Sequence, residues 1–151
     1  GLYNRRFMEE ALKQEFARAK RGDHPFSVVM LDMDKLKALN HRYGHVVGDS
    51  ALKSLSKLLK EQTRVEDIVC RFGGDEFLVI LHNADEQIAS ARLEEWSEQA
   101  KHIVIAHEGN QIPVSFSAGL ATYPICKNIE ELIRTADKAL YDIKAAKKTS
   151  T

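Results

Sequence analysis

Four acidic residues stand in two close pairs in this chain: Asp32 with Asp34, and Asp75 with Glu76. Carboxylates gathered in one place repel one another, and a cation among them relieves the repulsion. Magnesium suits such a set. It is a hard ion that takes oxygen ligands, and it is usually held by one or two carboxylates together with substrate phosphates; manganese is the alternative ion. Taken singly, each acid reads as a solvated strand end. Taken together, they read as a metal site. Lys37 lies one helical turn past Asp34 and can reach a phosphate, though alone it is a surface lysine. The backbone from Met33 to Leu36 opens a short helix and offers N–H donors to phosphate oxygens. Asn40 and Asp49 flank the loop that follows. A carboxylate at 49 can accept the N1–H and the exocyclic amine of guanine, a pattern adenine does not present; the plainer reading of Asp49 is a helix N-cap.

Other chemistries rank lower. His41 and His45 are four apart, like a zinc pair, but Gly44 interrupts the helix, no Glu stands next to His41 and no third ligand is evident. There is no Gly-x-Ser-x-Gly and no Walker A sequence. Cys70 sits inside an apolar strand and reads as a packed thiol.

Specific elements must bring the acids together. Apolar residues at helical spacing predict a helix from Asn4, its N-cap, to about Lys20, with Gly22 and Pro25 ending it. Phe26 to Asp32 reads as a buried central strand ending on an acid. A short helix is expected from Asp34 to Tyr43, a loop bracketed by Gly44 and Gly48, and an amphipathic helix from Asp49 to Glu61. Ile68–Phe72 and Glu76–Leu81 read as a hairpin around Gly73-Gly74, a pair that tolerates the positive φ of a tight turn. A long helix from Ala84 to about His107, a strand from Ile112 to Thr122 and a closing helix from Asn128 to Lys147 complete the chain. The core order is β-α-β-β-α-β, the ferredoxin-like α+β arrangement of an antiparallel sheet with packed helices. In that topology the first strand's end meets the turn between the second and third. The four remote carboxylates then converge on one sheet edge.

Composition narrows the classes. The chain has 151 residues, 44% hydrophobic, enough for one domain with a packed core. With 22 basic and 22 acidic residues the formal net charge is zero, which argues against a binder of nucleic-acid polymers or of membrane surfaces. No apolar run approaches a membrane span. Cys70 and Cys126 form no CxxC pair, which suits a reducing, cytoplasmic setting. The start at Gly1, with no Met, reads as a domain taken from a longer protein, which can itself be membrane-anchored.

Arg71-Phe-Gly-Gly-Asp-Glu-Phe77 resembles the signature of the GGDEF domain, the bacterial diguanylate cyclase. GLYNRR at 1–6 resembles the family's opening and LDMDKLKALNHRYGHVVGD at 31–49 its nucleotide loop. SFSAGLATYP at 115–124 resembles the later strand, and ADKALYDIK at 136–144 the last helix. The resemblance runs in order along essentially the whole chain. It implies a fold like the nucleotidyl cyclase and polymerase palm domains, and condensation of two GTP into cyclic di-GMP and two pyrophosphates between two facing copies. It implies that Asp32, the Met33 carbonyl and Asp75 hold magnesium, that Asp75 or Glu76 helps deprotonate the attacking hydroxyl, and that Asn40 and Asp49 read guanine. Lys37, Lys144 and the backbone at Lys35 and Leu36 would hold phosphates, with Gly73 and Gly74 admitting the ligand and His45 near it. Arg64-Val-Glu-Asp67 matches the RxxD pattern of the family's inhibitory product site, with an exposed turn and a local ion pair as the plainer alternative.

Three positions depart from the family pattern. Leu36 stands where Phe is usual, and His41 where Asp is usual. The closing Lys144-Ala-Ala-Lys147-Lys148-Thr149 lacks the family's Gly-Arg-Asn. Lys148 is the nearest replacement for that arginine, although a lysine is a point charge without the bidentate fork. A GGDEF-like module that binds GTP or cyclic di-GMP without turnover is the second reading.

Overall fold

Phe26–Met33 is apolar at all positions but Ser27 and Asp32, and it becomes the inner strand β1 of a four-stranded antiparallel sheet. A computed structural model describes residues 4–149; Gly1, Leu2 and Tyr3 of the opening motif lie outside the described residues. The remaining elements are α1 (Arg5–Gly22), α2 (Leu36–Tyr43), α3 (His45–Gln62), β2 (Ile68–Phe72), β3 (Glu76–His82), α4 (Glu86–Ala100), β4 (Val104–His107), β5 (Asn110–Pro113), β6 (Phe116–Tyr123) and α5 (Ile129–Thr149). The strand order β2-β3-β1-β6 is the ferredoxin-like order expected from the sequence, with β4 and β5 forming a separate two-stranded ribbon.

Strand alternation divides the core into two layers. Val29, Leu31 and Met33 of β1 face α3 and α4, in a cluster with Leu55, Leu59, Phe77 and the fully buried Trp96. Phe26, Val28 and Met30 face α1 and α5, with Leu12, Leu78, Ile80, Leu132 and Ala136. Asp32 shares the parity of Val28 and Met30, so it belongs to the α1/α5 face.

Five sequence expectations are corrected. The loop between Gly44 and Gly48 is absent. α3 begins at His45, and Gly44 alone, at φ 92°, breaks α2 from α3. Gly48 is buried inside α3 because the Asn40 side chain lies over it and leaves no room for a β-carbon. Asp49 is therefore not an N-cap. The long helix ends at Ala100 and the chain turns into β4, with Glu108 and Gly109 at positive φ making the β4–β5 turn. What reads as one strand from 112 to 122 is split into β5 and β6. The turn after β2 spans three residues, 73–75, with both glycines at positive φ.

Candidate active site

The antiparallel register sets Asp32 of β1 directly opposite Glu76 of β3 on one side and Ser117 of β6 on the other. Glu76 has the parity of Leu78 and Ile80, so it lies on the same face as Asp32, beneath α5. Asp75 closes the preceding turn, its N–H donating to the Gly73 carbonyl at 2.7 Å. Arg71 braces that turn. Its Nε and Nη2 both donate to the Gly74 carbonyl, at 2.9 and 2.6 Å. The expected convergence of Asp32, Asp75 and Glu76 is thus present, and Asp75 adds to the proton affinity of both Asp32 and Glu76. Burial pushes the Asp32 carboxyl above its ordinary value; the Lys144 ammonium opposes this, while Asp75 and Asp34 add to it. Burial, with Asp32, Asp75 and Asp137, likewise raises Glu76.

Asp34 has a different role. Its carboxylate accepts from Ser117 Oγ at 2.6 Å, Ser115 Oγ at 2.9 Å and Lys147 Nζ at 2.8 Å. Burial works to raise its proton affinity, but the bonds from Lys147, Ser117 and Ser115 outweigh it and the net shift is downward. Lys147 also donates to the Phe116 carbonyl at 2.9 Å, so it ties α5 to β6 and to the loop after β1. Sequence reading fixed on Lys148; the structure gives the lock to Lys147 and leaves Lys148 lining the adjacent groove.

Lys144 lies on the acids themselves. Its ammonium ion-pairs with Asp32, donates to the Met33 carbonyl at 3.3 Å and stands 3.9 Å from Asp34 Oδ1. A carboxylate and a main-chain carbonyl are the hard oxygen donors that magnesium accepts. A side-chain cation already bound by both is a stand-in for such an ion, and the residues present fit it.

The nucleotide candidates surround this edge. Lys35 caps α2 in a left-handed conformation, φ 57°, and makes no side-chain cap bond to the first N–H groups of the helix. Leu36 is half-buried; Lys37, His45 and Asp49 are exposed. The Asn40 side-chain oxygen is buried over Gly48 without a hydrogen-bond partner, next to Asp49. A groove of about 990 Å³ runs beside Asp34, lined by Lys35, Arg42, Tyr141, Lys144 and Lys148 among others. Its lysines and arginine suit an anionic ligand. His41 and His45 join no cluster of metal-ligating side chains among the described residues.

The Arg64–Asp67 turn is only half as open as the motif suggests. Arg64 is exposed, but the Asp67 side chain is 0% exposed and its oxygens are engaged. Oδ2 takes the Arg64 N–H at 2.9 Å and the Arg92 guanidinium at 2.9 Å, and Oδ1 takes the His82 N–H at 3.1 Å. Asp67 is therefore a buried clamp and not an acceptor open to guanine. Its partner Arg92, on α4, carried no signal in the sequence.

The sequence profile described as "Diguanylate cyclase, GGDEF domain" matches residues 1–150. Diguanylate cyclase DosC of Escherichia coli K12 is 37% identical over 141 residues, 93% of this chain and 31% of its own length. Diguanylate cyclase DgcS of Shewanella oneidensis is 37% identical over 147 residues, 97% of this chain and 48% of its own. The crystal structure of the GGDEF domain of YfiN (TpbB) from Pseudomonas aeruginosa superposes with a TM-score of 0.91 at 30% identity, covering 97% of this chain and 92% of that one. The chain belongs to the GGDEF family of diguanylate cyclase domains. It spans about a third to a half of the curated relatives named here. Among the described residues no helix is long and apolar enough to cross a membrane.

Proposed function

We propose that this domain binds one GTP and, facing a second copy, makes cyclic di-GMP. The observation that carries the reading is the Lys144 ammonium held jointly by Asp32 and the Met33 carbonyl, which marks a cation site beside a basic groove. Asp32, Met33 and Asp75 would hold magnesium or manganese, which when bound neutralises charge on the phosphate oxygens.

Lys35, Leu36 and Lys37 at the start of α2, with Lys144 and Lys148 of α5, hold the triphosphate. Asn40 and Asp49 take the guanine. The 3′-hydroxyl of each GTP attacks the α-phosphorus of the other. The new 3′-O–P bond forms as the α–β phosphoanhydride bond breaks, and pyrophosphate leaves. The hydroxyl proton passes to a carboxylate of the Asp75–Glu76 turn, where burial and the neighbouring acids raise the proton affinity of Glu76. One domain supplies one nucleotide, so closure of both bonds needs a homodimer. Product inhibition falls to the exposed Arg64, whose guanidinium can fork to phosphate or stack on guanine, with Asp67 holding the turn.

The test is incubation with GTP and magnesium of the protein fused to a constitutive dimeriser. Cyclic di-GMP is expected, and Asp75→Ala abolishes it. GTP binding without product, under forced dimerisation, would establish the binding-module reading and overturn the cyclase.

A further inference from the structure

At the opposite end of the sheet, about 20 Å along β1 from Asp32, a second set of ligating groups comes together. Glu15 of α1 is 4% exposed. Its Oε1 lies 2.6 Å from His82 Nδ1 at the end of β3, and its Oε2 takes the Arg18 guanidinium at 3.2 Å. His24, in the link from α1 to β1, places its ring edge-to-face on His82 with centroids 5.1 Å apart. One ligand atom from each of Glu15, His24 and His82 lies within 4.8 Å of the other two.

We propose that Glu15, His24 and His82 form a site for a transition-metal dication such as zinc or cobalt, separate from the acids that face the nucleotide. Two imidazoles and a carboxylate are a borderline-soft donor set. Such a set selects zinc-like ions over magnesium. Around a tetrahedral ion with bonds near 2.1 Å, donor atoms sit about 3.4 Å apart. The cluster's present separations, from 2.6 Å for Glu15–His82 up to at most 4.8 Å, bracket that spacing, and the Glu15–His82 hydrogen bond would open as the ion enters. Arg18 on the outer carboxylate oxygen then fixes its orientation, as second partners of metal ligands do.

The local backbone is shaped for this placement. Asp23 takes a left-handed conformation, φ 52°, which turns the chain back over α1. A β-carbon on Gly22 would come 2.9 Å from His24 Cδ2, so glycine makes room for the ring. A metal here would staple α1 to the β1/β3 edge. The His82 N–H also donates to Asp67, so the staple adjoins the Arg64–Asp67 turn. The regulatory consequence follows from position: the ion would fix α1 and the turn proposed for product binding.

The experiment titrates cobalt(II) into the 151-residue protein in millimolar magnesium, followed by visible absorption and by thermal melting. One equivalent is expected to give the intense band of a tetrahedral cobalt centre, and saturating zinc to raise Tm by about 5 °C or more. His24→Ala and His82→Ala each abolish band and shift. His24 is half-buried and Glu15 takes its hydrogen bonds from His82 and Arg18, so His24→Ala keeps the metal-free melting curve and circular dichroism of the parent; loss of the band there reports ligation and not unfolding. Absence of the band, its survival in His24→Ala, or its loss only in Asp32→Ala would each overturn the site.

Discussion

The Lys144 ammonium of α5 rests on the Asp32 carboxylate at the end of β1, so the last helix carries its own cation onto the acidic edge of the sheet. Removing that cation leaves Asp32 facing Asp75 and Glu76 without compensation. Lys144→Met is expected to cost about 1 kcal/mol without magnesium, the modest value reflecting the partly exposed lysine. The same variant gains more from added magnesium than the parent does, because the ion no longer competes with the ammonium. Melting curves with and without the ion check both. Equal magnesium-induced shifts in the two proteins would separate Lys144 from the cation site.

Asp34 and Lys147 give a pH-dependent lock. The Asp34 carboxyl is held below its ordinary value of 3.8. For a lowered carboxylate the stabilisation is fully present above the unfolded value and disappears as pH falls through the folded one. Asp34→Ala is therefore expected to cost about 1–3 kcal/mol at pH 7 and less at an acid pH well below 3.8, the difference shrinking as pH falls through the lowered folded value. Urea denaturation at both pH values decides it; a difference of undiminished size in acid would mean that the carboxylate's charge is not what stabilises.

Two glycines are required for close approach. A β-carbon on Gly119 of β6 would overlap the backbone of α5 at Ala136 and Leu140. Gly119→Ala must lift the helix that bears Lys144 and Lys147, and is expected to cost at least 2–3 kcal/mol with loss of activity. A β-carbon on Gly48 would overlap the Asn40 side chain. Side chains move more cheaply than helices, so Gly48→Ala is expected to spare the fold and raise the GTP KM. Unfolding curves and kinetics of the two variants test the contrast.

Arg92 and Asp67 form a buried ion pair, while Arg64 stands outside it. Arg92→Ala strands the Asp67 charge and is expected to destabilise the domain by about 3–5 kcal/mol. Arg64→Ala is expected to leave Tm and the initial rate within error and to relieve product inhibition. Inhibition curves with added cyclic di-GMP provide the measurement; an unchanged curve removes Arg64 from the product site.

The sheet and the acidic edge were legible in the order of residues. An apolar run ending at Asp32 and a Gly-Gly turn leading into Glu76 sufficed to bring these acids together, because β-α-β-β topology pairs the first strand antiparallel with the third. The β4–β5 ribbon was not legible, since Val104–His107 follows a helix without a proline and Glu108-Gly109 is a weak turn signal. Gly48 read as a loop breaker because glycine marks both flexibility and close contact, and only the packing of α2 on α3 tells which. Arg92 gave no local sign, because its partner Asp67 comes from another element.

The amino-acid order alone settled the family, the antiparallel sheet and the meeting of Asp32 with Glu76, all of which rest on local pattern and strand pairing. The folded structure alone decided that Asp34 is tied to Lys147, that Asp67 is buried, and that Glu15, His24 and His82 share a corner. Each depends on how helices seat against the sheet. Seating is set by side-chain volume across distant segments, and no window of sequence contains that information.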